Sequence, residues 1–433
     1  MKFIYAVLLM IIAVLPLTKF KAYGVEMEKC KQLVDSLSDR LNKTYVFPDK
    51  ALEMEKILKK NLKKYNKIES DHELAQELTK DMRSVYNDGH LEIFVMPPRP
   101  EGSMVRSNED MEKEMSMLAK SKNYQFQKVE ILDGNLGYLR LNGFEDVTYA
   151  GETAVSAMNF LANTDGLIID LRENGGGSPS MIQLISSYFF DDVVHLNSFY
   201  IRETGETEQY WTQKHVQGKK YLDKPIYILT SHYTYSAAEE FSYNLKNLKR
   251  ATIVGEITGG GAHPVNMYPM PELGFMLKIP FGRAVNPITN DNWEQVGVKP
   301  DIESTKESAL DVAISTLYQS MIDNPTEGVN KEALQWALDG LNFKNNPYKI
   351  ENNDDISEFC GVFGPRKIQL EDGKLIYSRG NNPAVAMIPF KKDWFIIEGV
   401  AFFRMEFRRN SDGKIDAIIG HYDNGRMDLT EKK

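Results

Sequence analysis

The chain has 433 residues, 42% of them hydrophobic, with a formal net charge of −9 and two cysteines. That is enough apolar material for two or three cored domains. The acidic balance argues against nucleic-acid binding, which needs a basic footprint. The seven histidines are dispersed and no H-E-x-x-H occurs, so metal catalysis is disfavoured and neither a metal nor a cofactor is expected.

Residues 1–24 read as a signal peptide: Lys2, an almost wholly apolar run over 3–17, then Ala22-Tyr23-Gly24 with small residues spaced for cleavage. The run is short for a membrane span. Lys19 and Lys21 beyond it are unusual, so a retained anchor stays as the alternative, and membrane association is expected only in that case. Residues 25–98 form a helical region, with helix-like apolar spacing over 31–41, 51–62 and 73–85. At its end Asp88-Gly89-His90 leads into a strand over 91–96. A charged, Met-rich connector fills 99–127.

Residues 128–322 alternate strands and helices. Residues 166–169 read as a buried strand that closes on Asp170-Leu171-Arg172-Glu173-Asn174-Gly175-Gly176-Gly177 and then a helix over 180–189. Glycines there let backbone N–H groups meet an anion without Cβ shielding, which suits a phosphate or the oxyanion of acyl transfer. They also suit a plain tight turn. A second buried strand, 225–230, runs into Thr234-Tyr235-Ser236-Ala237-Ala238-Glu239, where the spacing turns helical. Ser236 is thus either an N-cap or a nucleophile at the positive end of a helix, beside the Ala237 N–H.

Two further blocks follow in order: Gly255-Glu256-Ile257-Thr258-Gly259-Gly260-Gly261-Ala262-His263-Pro264, and Asn292-Trp293-Glu294-Gln295-Val296-Gly297-Val298-Lys299-Pro300-Asp301. With the two before them they resemble the C-terminal-processing (tail-specific) serine peptidases, in the branch of the tricorn core protease and interphotoreceptor retinoid-binding protein. The resemblance spans residues 45–317. It implies an α/β catalytic core of the tail-specific protease type (ClpP/crotonase-like), with an N-terminal helical cap and a C-terminal β-rich module. It implies Ser236 as nucleophile, His90 of the D-G-H block as base and Glu294 as the group that orients the histidine. The oxyanion donors would be the N–H groups of Gly176 and Ala237, and Gly177, Gly260 and His263 would shape the rim. Asp170 and Arg172 would brace the glycine loop.

Departures from the family pattern carry information. Thr258-Gly259-Gly260-Gly261 holds no lysine, so a Ser–Lys dyad is not expected. Gln295 stands where a glycine is usual, and Gly89 precedes the histidine where some relatives carry serine. The 99–127 connector is too short for the PDZ domain that many relatives insert. The remaining histidines are expected to matter less: His232 is near Ser236 only in sequence, and His72, His195, His215 and His421 read as surface residues.

A helix over 306–322 closes the core, residues 323–355 read as a linker, and 356–433 as a β-rich module. Asp372-Gly373 and Ser411–Lys414 mark hairpin turns in that module. A packed barrel is expected there, with an apolar ligand cavity as the rarer form. Cys30 and Cys360 are expected to be unpaired thiols. The expected function is a secreted or periplasmic serine endopeptidase acting on peptides or unfolded protein, with oligomers possible. The alternatives are a non-catalytic carrier of apolar ligands, because one relative binds retinoids and fatty acids, and a peptide-binding scaffold.

Overall fold

The computed structural model describes residues 27–96, 108–325, 328–350 and 355–433; the expected signal peptide lies outside them. Among the described residues no helix is long and apolar enough to cross a membrane. The described residues divide into two compact units: 27–96 with 201–205 and 264–282, and the remainder.

In the first unit the helices Met27–Thr44, Pro48–Lys60 and Asp71–Val85 fall where the apolar spacing places them. Pro48 opens its helix, and Ser70 caps the Asp71 helix by accepting from the Glu73 N–H at 3.1 Å. Their apolar stripes meet an antiparallel sheet of Glu92–Val95, Phe275–Pro280 and Val265–Met270. Leu33, Leu37, Met54, Leu78 and Met82 pack against Ile93, Phe275, Leu277 and Ile279. Two of these three strands come from inside the stretch expected to be catalytic core, a difference that sequence distance conceals.

The second unit is built on a six-stranded sheet in the order Ile302–Glu303, Thr252–Gly255, Ile226–Thr230, Gly166–Asp170, Leu136–Leu141, Phe126–Leu132. All neighbours are parallel except the last pair. Side chains alternate across a strand, so one run serves two cores. Leu167, Ile169, Ile226 and Ile228 face the helices Val147–Leu161, Pro179–Ser187 and Ala237–Asn247. Ile168, Tyr227 and Leu229 face the helices Ala309–Asp323 and Lys331–Asn345. Helices on both faces explain why the strands read as unbroken apolar runs.

The Lys331–Asn345 helix stands where a linker was expected. Its residues Leu334, Ala337 and Leu338 are buried against Leu317 and Tyr318. Beyond it, eight consecutive antiparallel strands from Gly361–Phe363 to Met427–Glu431 form a meander. A bridge from Phe363 to Lys432 joins its ends into a near-barrel. The Asp372-Gly373 turn is present, with both residues at positive φ. Phe359, Phe363, Phe395 and Phe407 stack edge-on inside, so the interior is a packed core. Arg404 lies 3.7 Å over Trp336 and donates to its carbonyl, fastening the barrel to the Lys331–Asn345 helix. Cys30 is buried and Cys360 half-buried, both as free thiols.

Candidate active site

The strand Ile226–Thr230 delivers the chain to a turn knitted onto the glycine loop. Thr234 Oγ1 donates to the Leu171 carbonyl at 2.8 Å, Ser231 Oγ to that of Arg172 at 2.6 Å, and the Tyr235 N–H to that of Asn174 at 3.0 Å. The turn ends on Ser236, at φ 54° and ψ −121°, followed at once by the helix Ala237–Asn247. A non-glycine residue held there costs on the order of 1–3 kcal/mol and persists only when its surroundings over-determine it. Ser236 is therefore the N-cap that the sequence suggested, in a backbone geometry that capping alone does not need. A strained strand-to-helix turn is also how a nucleophilic serine is exposed in α/β hydrolases.

Gly176 lies against this turn. At its φ of 109°, a Cβ would stand 2.8 Å from Ser236 Cβ and 3.0 Å from the Ala237 nitrogen, so only glycine fits. Gly176, Ser236 and Ala237 are thus brought together. The Gly176 N–H, however, donates to Asn174 Oδ1 at 2.9 Å, while Asn174 Nδ2 anchors to the Leu141 carbonyl. Gly177, at φ 143°, leaves no room for a Cβ beside the Phe144 carbonyl. Asp170 braces the base of the loop as expected: Arg172 grips it through Nε and Nη2, and Tyr138 donates at 2.6 Å. Burial pushes the Asp170 carboxyl up, but these bonds win and hold it below the ordinary aspartate range.

A second group gathers on residues 258–263. Glu294 accepts from the Ala262 N–H at 2.7 Å and lies 3.6 Å from His263 Nδ1, with both side chains buried. The Gly260 carbonyl accepts from the Gln295 N–H at 2.9 Å, and the Gly261 carbonyl from Trp293 Nε1 at 2.9 Å. Gly260 and His263 thus belong to the loop that presents Glu294.

His90 sits in the first unit and is buried, 3% exposed. Its N–H donates to Asp88 Oδ1 at 3.0 Å, and Tyr45 donates to Asp88 Oδ2 at 3.2 Å. Arg83 clasps the same turn through the carbonyls of Gly89 and Leu91. Such bracing fixes the backbone that carries the imidazole.

Of the other histidines, His72 and His215 are exposed as expected. His195 and His421 are not simple surface residues: His195 stacks on Trp211 and bonds Ser198, and His421 stacks on Trp394 and pairs with Glu406. His232 pairs with Glu256 at 3.3 Å.

The residue that sequence reasoning passed over is Glu239. Fully buried, it accepts from the N–H groups of Ser236, Gly260 and Gly261 at 2.8, 2.7 and 2.9 Å and from the Thr258 hydroxyl. Burial pushes its carboxyl up and the four bonds pull it back, leaving it at about 7. The available signal was the serine-to-glutamate spacing of a capping box.

Two family models match the chain. Residues 135–304 match the family described as Peptidase family S41, and residues 27–132 match the N-terminal domain of that peptidase in eukaryotic IRBP. The chain thus carries a peptidase family S41 domain, preceded by a region like the N-terminal domain of that peptidase in eukaryotic IRBP. It is similar to the carboxyl-terminal-processing protease of Synechocystis sp., 26% identical over 45% of this chain and 45% of that one. It is also similar to the chloroplastic carboxyl-terminal-processing peptidase 2 of Arabidopsis thaliana, 28% identical over 38% of this chain and 31% of that one. The matched regions span less than half the length of these relatives. Among solved structures, mature CPAF is 13% identical with a TM-score of 0.49, covering 70% of this chain and 99% of that one.

Proposed function

We propose that the protein is a serine endopeptidase that cleaves unstructured polypeptide through an acyl-enzyme, and that it works outside the cytoplasm. The observation that carries this is Ser236, held in a strained turn at a helix start with the Ala237 N–H beside it and Gly176 packed against it. Ser236 Oγ attacks the scissile carbonyl, and His90 takes its proton and returns it to the leaving amine. Glu294 orients the imidazole and stabilises its charged form. The Ala237 N–H stabilises the oxyanion. Gly176 joins it by sharing its N–H between Asn174 and the developing charge.

A specific observation favours a second assignment of the base. Glu294 already has His263 at 3.6 Å, within the same compact unit. His90 is supported by the D-G-H resemblance and His263 by this pair.

Labelling with a fluorophosphonate probe separates the two. Ser236→Ala is expected to abolish labelling. His90→Ala should slow it by about a thousandfold, in line with loss of a general base, while His263→Ala should stay within about tenfold of the wild type. The reverse order would make His263 the base. Labelling that survives Ser236→Ala would end the peptidase reading and leave the carrier or scaffold.

A further inference from the structure

Glu239 has a place in the site that the triad does not account for. Its two oxygens divide four donors evenly. Oε1 takes the Thr258 hydroxyl and the Gly260 N–H; Oε2 takes the N–H groups of Ser236 and Gly261. One carboxylate thereby joins two segments more than twenty residues apart in sequence. The joined loop makes the next set of contacts. Thr258 Oγ1 accepts from the Val298 N–H, the Gly260 and Gly261 carbonyls hold Gln295 and Trp293, and the Ala262 N–H holds Glu294. The nucleophile's own N–H is therefore linked to the carboxylate assigned to the histidine by hydrogen bonds at Gly261 and Ala262, adjacent residues of one backbone.

We infer that Glu239 is a positioning residue, needed in its ionised form, that locks the strained Ser236 turn to the loop presenting Glu294. The inference rests on the peptidase reading above and adds a residue to it. Only a carboxylate offers two acceptor oxygens without a proton between them. Protonation puts an O–H where two donors already point, and an amide puts an NH₂ there, so either change costs at least one of the backbone N–H contacts. None of the four partners is a cation, and burial holds the acid at about 7, so both forms are populated near neutral pH. The other titratable groups on these segments are His232, Tyr233, Tyr235, Glu240, His263 and Glu294.

The test is the rate of fluorophosphonate labelling of the full chain against pH, for the wild type, Glu239→Gln and Glu239→Asp. Glu239→Gln should slow labelling at least a hundredfold at pH 8 with an unchanged circular dichroism spectrum. Glu239→Asp should recover at least tenfold of that loss. Below pH 6 the wild-type log rate should rise with a slope approaching two, one proton from the catalytic histidine and one from Glu239. In Glu239→Gln the slope should be one. Glu240→Gln should keep the slope of two, which separates Glu239 from its buried neighbour.

Glu239→Gln within threefold of the wild type, or a wild-type slope of one, overturns the inference. Should both Glu239 variants fail to fold, the wild-type slope decides alone. Labelling that survives Ser236→Ala is a failure of the peptidase reading; silence there with normal Glu239→Gln is a failure of this one only.

Discussion

The α/β core and the C-terminal barrel bury different kinds of side chain, for different ends. The core buries Asp170, Asn174, Glu239, Glu240, Asn286 and His263 beside its apolar helices. The barrel interior is built on Phe359, Phe363, Met387, Phe395, Met405 and Phe407, and its buried charged residues are two arginines, Arg366 and Arg404. Arg366 is held by Asp428 and Arg404 lies on Trp336. Burying a carboxylate costs several kcal/mol unless donors satisfy it. A fold that needed only stability would fill those positions as the barrel does. The core's polar interior marks where geometry has been kept at the expense of stability.

The largest expected effect tests that contrast at its sharpest point. Ser236→Ala should lower turnover of an unstructured protein by more than a thousandfold, about 4 kcal/mol in activation free energy. Its effect on folding should be no more than about 1 kcal/mol, the usual worth of a helix cap. Thermal unfolding read beside the activity assay separates the two quantities. Residual turnover within tenfold of the wild type would count against the nucleophile.

The barrel should show the opposite pattern. Phe407 touches Phe359, Phe363 and Phe395 and is 2% exposed. Phe407→Ala is expected to cost the barrel about 3–5 kcal/mol, read as a lower urea midpoint by tryptophan fluorescence. Probe labelling of Ser236 should stay within about threefold under conditions where the variant is folded. A labelling loss as large as that of Ser236→Ala would mean that the barrel completes the site, and the contrast between the two regions would fail.

How far the sequence foretold this contrast depends on how local each feature is. The strands 166–169 and 225–230 and the turns after them were legible because β-branched runs, glycines and a serine cap act over a few residues. The barrel's turns were legible for the same reason. The Lys331–Asn345 helix was missed although Leu334, Ala337 and Leu338 have helical spacing, because the polar stretch 342–347 draws attention as a boundary. The hairpin of Val265–Met270 and Phe275–Pro280 was placed with the core because its partners, the helices of residues 27–85, lie far away in sequence. Of Glu239's role only the capping-box spacing to Ser236 is local, since three of its four donors come from residues 258–261. Long-range hydrogen bonds leave no periodic trace.

The smallest effect concerns the second buried acid of the core. Glu240 is 3% exposed, and burial pushes its carboxyl to about 8 against the partial opposition of Asn197 and Asn244. Its folded value therefore lies above its unfolded value of 4.5. Between those two values the native state holds a proton that the unfolded chain has released. Its contribution to stability is then full below the unfolded value and falls as pH rises, by about 1.4 kcal/mol per pH unit at most, until the folded value is passed. Glu240→Gln keeps a neutral side chain of the same shape and removes that fall. Urea midpoints at pH 5.5 and 7.5 should therefore show the variant gaining on the wild type by roughly 2–3 kcal/mol across the interval. A carboxylate already ionised at pH 5.5 would give no change in the difference between the two proteins. That result would place a compensating charge beside Glu240 and make this part of the core no more costly than the barrel.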